Sequence, residues 1–317
     1  MKYLITGGAG FIGSSIVAAL VDQGQDVRVA DNFSTGRIHN LANVKDSIEI
    51  IEGDLSELDY ARKVVDDVNY VIHQAAIPSV PRSVEDPIGN NQAGVIATLN
   101  LLVAARDAGV LRMTYASSSS IYGEARDKGA KTEDMLPAPM SPYGVSKLAA
   151  EQYCMAFYSV YGFEVVALRY FNVFGPRQDP ESEYAAVIPR FITALLKGNA
   201  PKIYGDGEQT RDFTYVGNIV NANLHALEHV DAPGQIFNIA MGSGNSLNNL
   251  ISTLHNLTGL KIDPVYAESR PGDIRHSYAD VSKALHLLQF KPEVSVVDGL
   301  QSTIDWYRKL NVNQTFK

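Results

Sequence analysis

The chain is poor in several features that would define its class at once. Its 317 residues include a single cysteine, Cys154, and one thiol can neither close an internal disulfide nor build a thiolate metal cluster. Disulfide scaffolds and zinc ribbons are therefore excluded, no metal site is expected, and Cys154 reads as a small buried residue of a helix. No apolar run approaches the ~20 residues that span a bilayer. The chain enters directly on an apolar strand, Tyr3-Leu4-Ile5, without the basic start and apolar stretch of a signal peptide. A cytosolic protein with no membrane association is expected. Basic residues are also in deficit, 27 Lys and Arg against 35 Asp and Glu for a net charge of -8. Such a surface repels phosphate backbones and anionic membranes, so nucleic acid is not an expected partner. Linkers rich in Gly, Ser or Pro are missing as well, which argues against separate beads on a string.

What is present is strong periodicity. Short apolar runs at Lys2–Thr6, Asp26–Ala30, Ile48–Glu52, Tyr70–Gln74, Arg112–Ser117 and Glu164–Tyr170 alternate with helical patterns at 11–23, 57–67, 93–108 and 142–161. Alternating strand and amphipathic helix is the signature of βαβ units around a parallel sheet, so six strands in an α/β, doubly wound parallel sheet are expected. After Tyr170 the pattern is less regular, with helices near 184–197, 216–229, 246–258 and 296–309. Residues 1–175 read as the sheet domain and 176–317 as mainly a smaller C-terminal lobe. That lobe is expected to be interleaved with the first part and to cap the crevice at the strand ends, where open α/β sheets bind ligands.

Gly7, Gly10 and Gly13 follow the first strand and open the first helix. Positions without a Cβ allow a tight turn, close approach of a pyrophosphate to the backbone and close packing of helix on strand, while the helix start offers aligned N–H donors. Asp31 closes the second strand where a carboxylate can accept hydrogen bonds from an adenine ribose. That carboxylate would repel a 2′-phosphate, so NAD is expected over NADP, with Arg37 nearby as the one tempering charge. Asp54, after the third strand, stands within reach of the adenine, and Ala75-Ala76, after the fourth, leaves room for the cofactor. His73 reads as a core residue.

Ser141-Pro142 reads as the N-cap and first position of a helix on which Tyr143 and Lys147, four apart, share a face. A phenol near pKa 10 is a poor base at neutral pH, but a lysine ammonium one turn away favours the phenolate. Tyr143 could then take a hydroxyl proton while the neighbouring carbon gives up hydride. Upstream, Ser117-Ser118-Ser119-Ser120 continues the fifth strand and places a row of hydroxyls at the same edge.

Together, Thr6-Gly7-Gly8-Ala9-Gly10-Phe11-Ile12-Gly13, the serine row, Tyr143-x-x-x-Lys147 and Arg169-Tyr170-Phe171-Asn172-Val173-Phe174-Gly175-Pro176 resemble the extended short-chain dehydrogenases that modify nucleotide sugars. The segments 73–83 and Arg270-Pro271-Gly272-Asp273-Ile274-Arg275-His276-Ser277 are most similar to those of UDP-N-acetylglucosamine 4-epimerases. The resemblance implies an NAD-binding Rossmann fold with a substrate-binding lobe, a UDP-sugar substrate and a homodimer formed through the helix of Tyr143 and the one before it. It makes Tyr143, Lys147 and Ser118 the catalytic residues. Its further cofactor contacts are Phe11, Ile12 and Gln74, then Asn32, Ser34, Thr35 and Gly36, then Leu55 and Tyr170. Arg211 and Arg270 would clamp the diphosphate with help from Asn172, and Tyr204 and Asp273 would meet the ribose and uracil. Ser79, Ser119, Ser120 and Val187 complete the substrate contacts.

Two positions carry information by departing from, or choosing within, the family pattern. The family's Asn-Val-x-Gly-Thr reads Gly94-Val95-Ile96-Ala97-Thr98 here, without the asparagine. Ser277 stands four residues after Asp273, where a tyrosine in similar epimerases excludes an N-acetyl group; a serine leaves that space. UDP-N-acetylglucosamine is the expected substrate, with UDP-glucose 4-epimerisation, or an epimerase or decarboxylase acting on UDP-glucuronic acid, as the alternative. A dehydratase is disfavoured because Ser119-Ser120-Ile121 stands where that class has an acid pair, and a non-catalytic NAD sensor because Tyr143 and Lys147 are both retained.

Overall fold

The computed structural model describes residues 1–124, 129–180, 186–269 and 274–313. The chain runs β1 (Lys2–Thr6), α1 (Phe11–Asp22), β2 (Asp26–Asp31), β3 (Glu49–Glu52), α2 (Leu58–Val65), β4 (Tyr70–His73), α3 (Val80–Glu85), α4 (Pro87–Asn91), a wide π-type turn (Gln92–Ile96), α5 (Ala97–Asp107), β5 (Arg112–Ser118), α6 (Pro142–Tyr161) and β6 (Glu164–Tyr170). It continues through β7 (Val173–Phe174), α7 (Val187–Leu196), β8 (Lys202–Tyr204), β9 (Thr210–Arg211), β10 (Thr214–Tyr215), α8 (Val216–Glu228), β11 (Ile236–Ile239), β12 (Asn245–Ser246), α9 (Leu247–Thr258), β13 (Val265–Ala267), β14 (His276–Ser277), α10 (Ser282–Leu287) and α11 (Val296–Asn313).

Seven parallel strands form the central sheet in the order β11-β6-β5-β4-β1-β2-β3. From β1 the chain winds one way to β2 and β3, then crosses to β4 and winds the other way. The reversal opens a crevice above the C-terminal ends of β1 and β4. Strands such as β6 are buried on both faces and read as continuous apolar runs because helices cover the sheet on both sides. On one side Ile16, Val17 and Leu20 of α1 meet Val220 and Leu227 of α8. On the other, Ala61 and Val64 of α2, Leu101 and Ala105 of α5, and Ala150, Cys154 and Phe157 of α6 share one core. Cys154 is a buried helix residue, as expected.

The sheet has one strand more than the sequence suggested. β11 pairs with β6, Phe237 opposite Leu168, and returns the chain to the sheet after an excursion through the lobe. Four residues of buried strand show no period of their own and are recognisable only beside the partner that completes their hydrogen bonds. The helix expected over 93–108 in fact starts at Pro87 and is interrupted by the wide turn. The lobe has its own core, in which Ile188, Phe191 and Ile192 of α7 meet Leu250 and Leu254 of α9 and Ile304 of α11. Its strands are two or three residues long and form two pairs and one three-stranded sheet, β12-β9-β14. Among the described residues no helix is long and apolar enough to cross a membrane.

Candidate functional site

The glycine turn is dictated by contact. Gly7 has φ +63, and a Cβ there would lie 2.7 Å from the Ala75 nitrogen, while a Cβ on Gly13 would lie 2.2 Å from the Gly7 carbonyl. α1 begins at Gly10 with no side-chain cap, so its first N–H groups, from Phe11 to Gly13, are left for a ligand. Asp31 accepts from Ala9 N at 2.9 Å and Phe33 N at 2.8 Å, tying β2 to the glycine loop. Burial raises its pKa, and the two N–H bonds work against that rise. Gly36 closes over this carboxylate, where a Cβ would sit 2.8 Å from both oxygens. Asn32 donates to Asp54 at 3.1 Å and accepts from Ser34, so Asn32, Ser34 and Asp54 form one rim with the exposed Thr35 beside them. The Leu55 side chain instead packs in the core. At the β4 end, Gln74 donates to the Tyr170 hydroxyl at 2.9 Å and Asn223 donates to the same oxygen at 2.8 Å. These partners oppose the burial that pushes the Tyr170 phenol up to about 12. An uncapped helix start, a loop that only glycine permits and a carboxylate at the β2 end fit NAD.

The second group of residues comes together on the face of α6 that looks at β5. Ser141 caps the helix by accepting from Gly144 N at 3.1 Å, and proline opens it. Lys147 is buried, donates to the Ala116 carbonyl at 2.7 Å and has its pKa pushed down to about 8 by burial. Burial raises the Tyr143 phenol, while the Ser118 hydroxyl lowers it. Ser118 Oγ accepts from Ser120 N at 3.1 Å, which leaves its own proton for an oxygen beside Tyr143. Ser120 Oγ is buried without a hydrogen-bond partner among the described residues. One turn beyond Lys147, Glu151 accepts from Ser117 at 2.6 Å and from Arg169 at 2.7 and 3.0 Å, fixing β5 beneath the serine row. His73 is a core residue as expected, bonded to Thr6 and Thr98 and held neutral with a pKa near 3 by burial and by the charge of Lys147.

Beside this group, beyond the end of β6, lies a cleft of about 260 Å³. It holds four of the expected substrate residues: Asn172, Val187, Tyr204 and Arg211. Asn172 adopts φ +31, a left-handed conformation that asparagine tolerates better than most residues, and donates to the Asp212 carbonyl at 3.2 Å. The cleft also contains residues the sequence reading missed: aromatic Phe174, Phe191 and Phe213, basic Arg190 and Lys202, and Gln209. Gln209 Oε1 is buried with no partner among the described residues. The signal that could have found two of them is strand period, because Gln209, Arg211 and Phe213 alternate along one face. Asp212, pointing the other way, accepts backbone N–H groups from Met241, Gly242, Ser243 and Ala279 at 2.9 to 3.2 Å.

Ser277 is buried on β14, in register with Arg211 on β9. Ser79 lies apart from the cleft as the cap of α3, accepting from Arg82 N at 3.2 Å, and Ser119 sits partly exposed on the serine row. Arg270 and Asp273 lie outside the described residues. The arrangement can move a proton at Tyr143, donate a hydrogen bond from Ser118 and hold an anion between basic, aromatic walls.

The chain matches the NAD dependent epimerase/dehydratase family over residues 3–240, and it belongs to that family. It is similar to the structure of a UDP-N-acetylglucosamine 4-epimerase from Methanobrevibacter ruminantium M1 in complex with UDP-N-acetylmuramic acid, at 42% identity and a TM-score of 0.92 over 97% of this chain and 98% of that one. A UDP-glucose 4-epimerase from Thermotoga maritima, solved with UDP-glucose, matches at 38% identity and a TM-score of 0.93 over 98% and 99%. The UDP-glucose 4-epimerase of Mycolicibacterium smegmatis is 36% identical over 97% of this chain and 99% of its own length.

Proposed function

We propose that this member of the NAD dependent epimerase/dehydratase family interconverts UDP-N-acetylglucosamine and UDP-N-acetylgalactosamine by inversion at carbon 4. The nucleotide class rests on the cleft, where Arg190, Lys202 and Arg211 stand among four aromatic side chains, with no acidic residue lining it among those described. In a protein of net charge -8, such a concentration of cations suits a diphosphate, and the rings suit a base. The choice of sugar rests on one observation, the small buried Ser277 in register with cleft-lining Arg211, a side chain that fills less of the adjoining space than a tyrosine ring would.

A bound NAD, held by the start of α1 and Asp31, would supply the hydride acceptor and donor for carbon 4. The chain does the rest. Tyr143 as phenolate accepts the 4-hydroxyl proton and later gives it back, Lys147 favours the phenolate by its charge, and Ser118 donates to the reacting oxygen. Arg211 and its neighbours hold the diphosphate while the sugar turns to present its other face. Asp31 and the start of α1 hold the cofactor, with Arg270 and Asp273 completing the diphosphate and ribose contacts.

The test is anomeric-proton NMR of purified protein with UDP-N-acetylglucosamine, UDP-glucose and UDP-glucuronic acid, without added NAD. Conversion of the N-acetylated sugar supports the proposal. Conversion of UDP-glucose alone replaces it with the UDP-glucose reading that two of the relatives favour.

The protein is also proposed to be a homodimer through α5 and α6. Val145, Tyr153 and Val160 are 53%, 40% and 69% exposed and fall at helical spacing on one side of α6. A contiguous apolar stripe of this kind marks an interface. Light scattering should give twice 34.5 kDa, and Val145→Glu with Tyr153→Glu should halve it; a wild-type monomer would refute the dimer.

A further inference from the structure

Tyr143 is the second residue of α6, so its own N–H is one of those at a helix start that the helix cannot satisfy. Proline at 142 has no N–H, and Gly144 donates to the Ser141 cap. The Tyr143 N–H goes outside the helix, to Ser83 Oγ at 3.1 Å on α3, 60 residues away in the chain. Ser83 is fully buried and in turn donates to the Val80 carbonyl at 2.6 Å, which fixes its hydroxyl with a lone pair toward Tyr143.

The carbonyl of Tyr143 is reached as well. It accepts from Ser146 Oγ at 2.9 Å, and that hydroxyl accepts from Asn90 Nδ2 at 3.0 Å. Asn90, buried on α4, also donates to the Pro142 carbonyl at 3.2 Å. Gly94 lies directly against this brace. A Cβ there would lie 3.1 Å from Ser146 Oγ and 3.2 Å from Ser146 Cβ, and Gly94 sits in the wide turn that interrupts the helix between α4 and α5. Both polar groups of the Tyr143 peptide are thus set by residues of α3 and α4, and neither brace lines the cleft beyond β6 or the glycine turn.

We infer that Ser83 and Asn90 are positioning residues that set the Tyr143 phenol against Ser118, with Gly94 lying against the second brace. The inference rests on the reading of Tyr143 as the base. A base must meet its proton at hydrogen-bond distance, and a displacement of about 1 Å at a reacting group can cost on the order of a hundredfold in rate.

The experiment uses full-length protein with its bound NAD. The variants are Ser83→Ala, Ser83→Thr, Asn90→Leu and Tyr143→Phe, assayed with UDP-N-acetylglucosamine and UDP-glucose. Amide hydrogen exchange is followed at Tyr143. For Ser83→Ala and Asn90→Leu, kcat should fall tenfold or more while KM and NAD content stay within twofold. The Tyr143 amide should exchange at least tenfold faster in Ser83→Ala, and Ser83→Thr, which keeps the hydroxyl, should restore both readouts. Wild-type kcat and exchange in Ser83→Ala, with Tyr143→Phe inactive, would overturn the inference and leave the base assignment standing. A kcat loss in Ser83→Ala that threonine does not restore, or one matched by a rise in KM and loss of NAD, would overturn it equally. Full turnover in Tyr143→Phe would overturn the base assignment itself and the inference with it.

Discussion

At the cofactor crevice the ligand-facing groups are the ends of parallel strands of four to seven residues, β1, β2, β4, β5 and β6, and their relative positions follow from sheet register. In the cleft beyond β6 the corresponding work falls to strands of two or three residues, too short to hold a register alone. There one side chain takes over: the Asp212 carboxylate collects four backbone N–H groups and joins β9 to the turn after β11 and to the end of β14. Position on the crevice side is thus spread over many bonds and two packed helix layers. On the cleft side it is concentrated in one buried carboxylate. A substitution in the crevice should change chemistry without loosening the fold, whereas a substitution at the hub of the lobe should loosen binding.

The sharpest contrast comes from removing one atom on the crevice side. Tyr143→Phe should lower turnover at least about a hundredfold while thermal stability and NAD content remain those of the parent; substantial loss of either would mean that the crevice is no sturdier than the lobe. Asp212→Asn should do the reverse, replacing an acceptor by an amide N–H that faces donors. It should cost about 2–3 kcal/mol in denaturant unfolding and weaken UDP-sugar binding while NAD content holds. Equal loss of NAD would break the comparison.

Ser277→Tyr tests the lobe more finely. It should shift preference against the N-acetylated sugar by about 1–3 kcal/mol in kcat/KM, and equal loss with both sugars would show that residue 277 does not read the acetamido group. The smallest effect is in pH. His73 stays neutral in the folded protein, with a pKa near 3, against about 6.5 when unfolded. Its stability contribution is therefore present above about pH 6.5 and lost as pH falls toward 3, under about 1 kcal/mol of it between pH 7 and 6. Asp212 has the opposite sign. Burial raises its pKa to about 6, so its stability is complete below the unfolded value of about 3.9 and is lost as pH rises through 6. Unfolding followed from pH 7 to 6 should show a decline that steepens in Asp212→Asn; a decline unaffected by that change would remove the opposing contribution.

Much of the crevice was legible in the sequence because its signals are local. Three glycines between a strand and a helix, an acid at the next strand end, and Tyr143 and Lys147 one turn apart behind a Ser-Pro start each need only a few consecutive residues to be recognised. The cleft was legible in part. Asn172, Val187, Tyr204 and Arg211 were named through the family resemblance and line the cleft; Gln209 and Phe213 carry a strand period with Arg211 that could have found them, whereas Phe174, Arg190, Phe191 and Lys202 come from separate elements and share no local period. β11 escaped for a similar reason: its four residues become a strand only beside β6.

The sequence by itself determined the doubly wound plan, the glycine turn and the one-turn spacing of Tyr143 and Lys147, because backbone sterics and helical period act within a turn or two of chain. Only the tertiary structure decided which distant groups complete them. Ser83 meets the Tyr143 peptide across 60 residues, Gln74 meets Tyr170 across 96, and Asp212 gathers N–H groups from 29 to 67 residues away. Those pairings depend on strand order and on how closely helices pack, which no local pattern encodes.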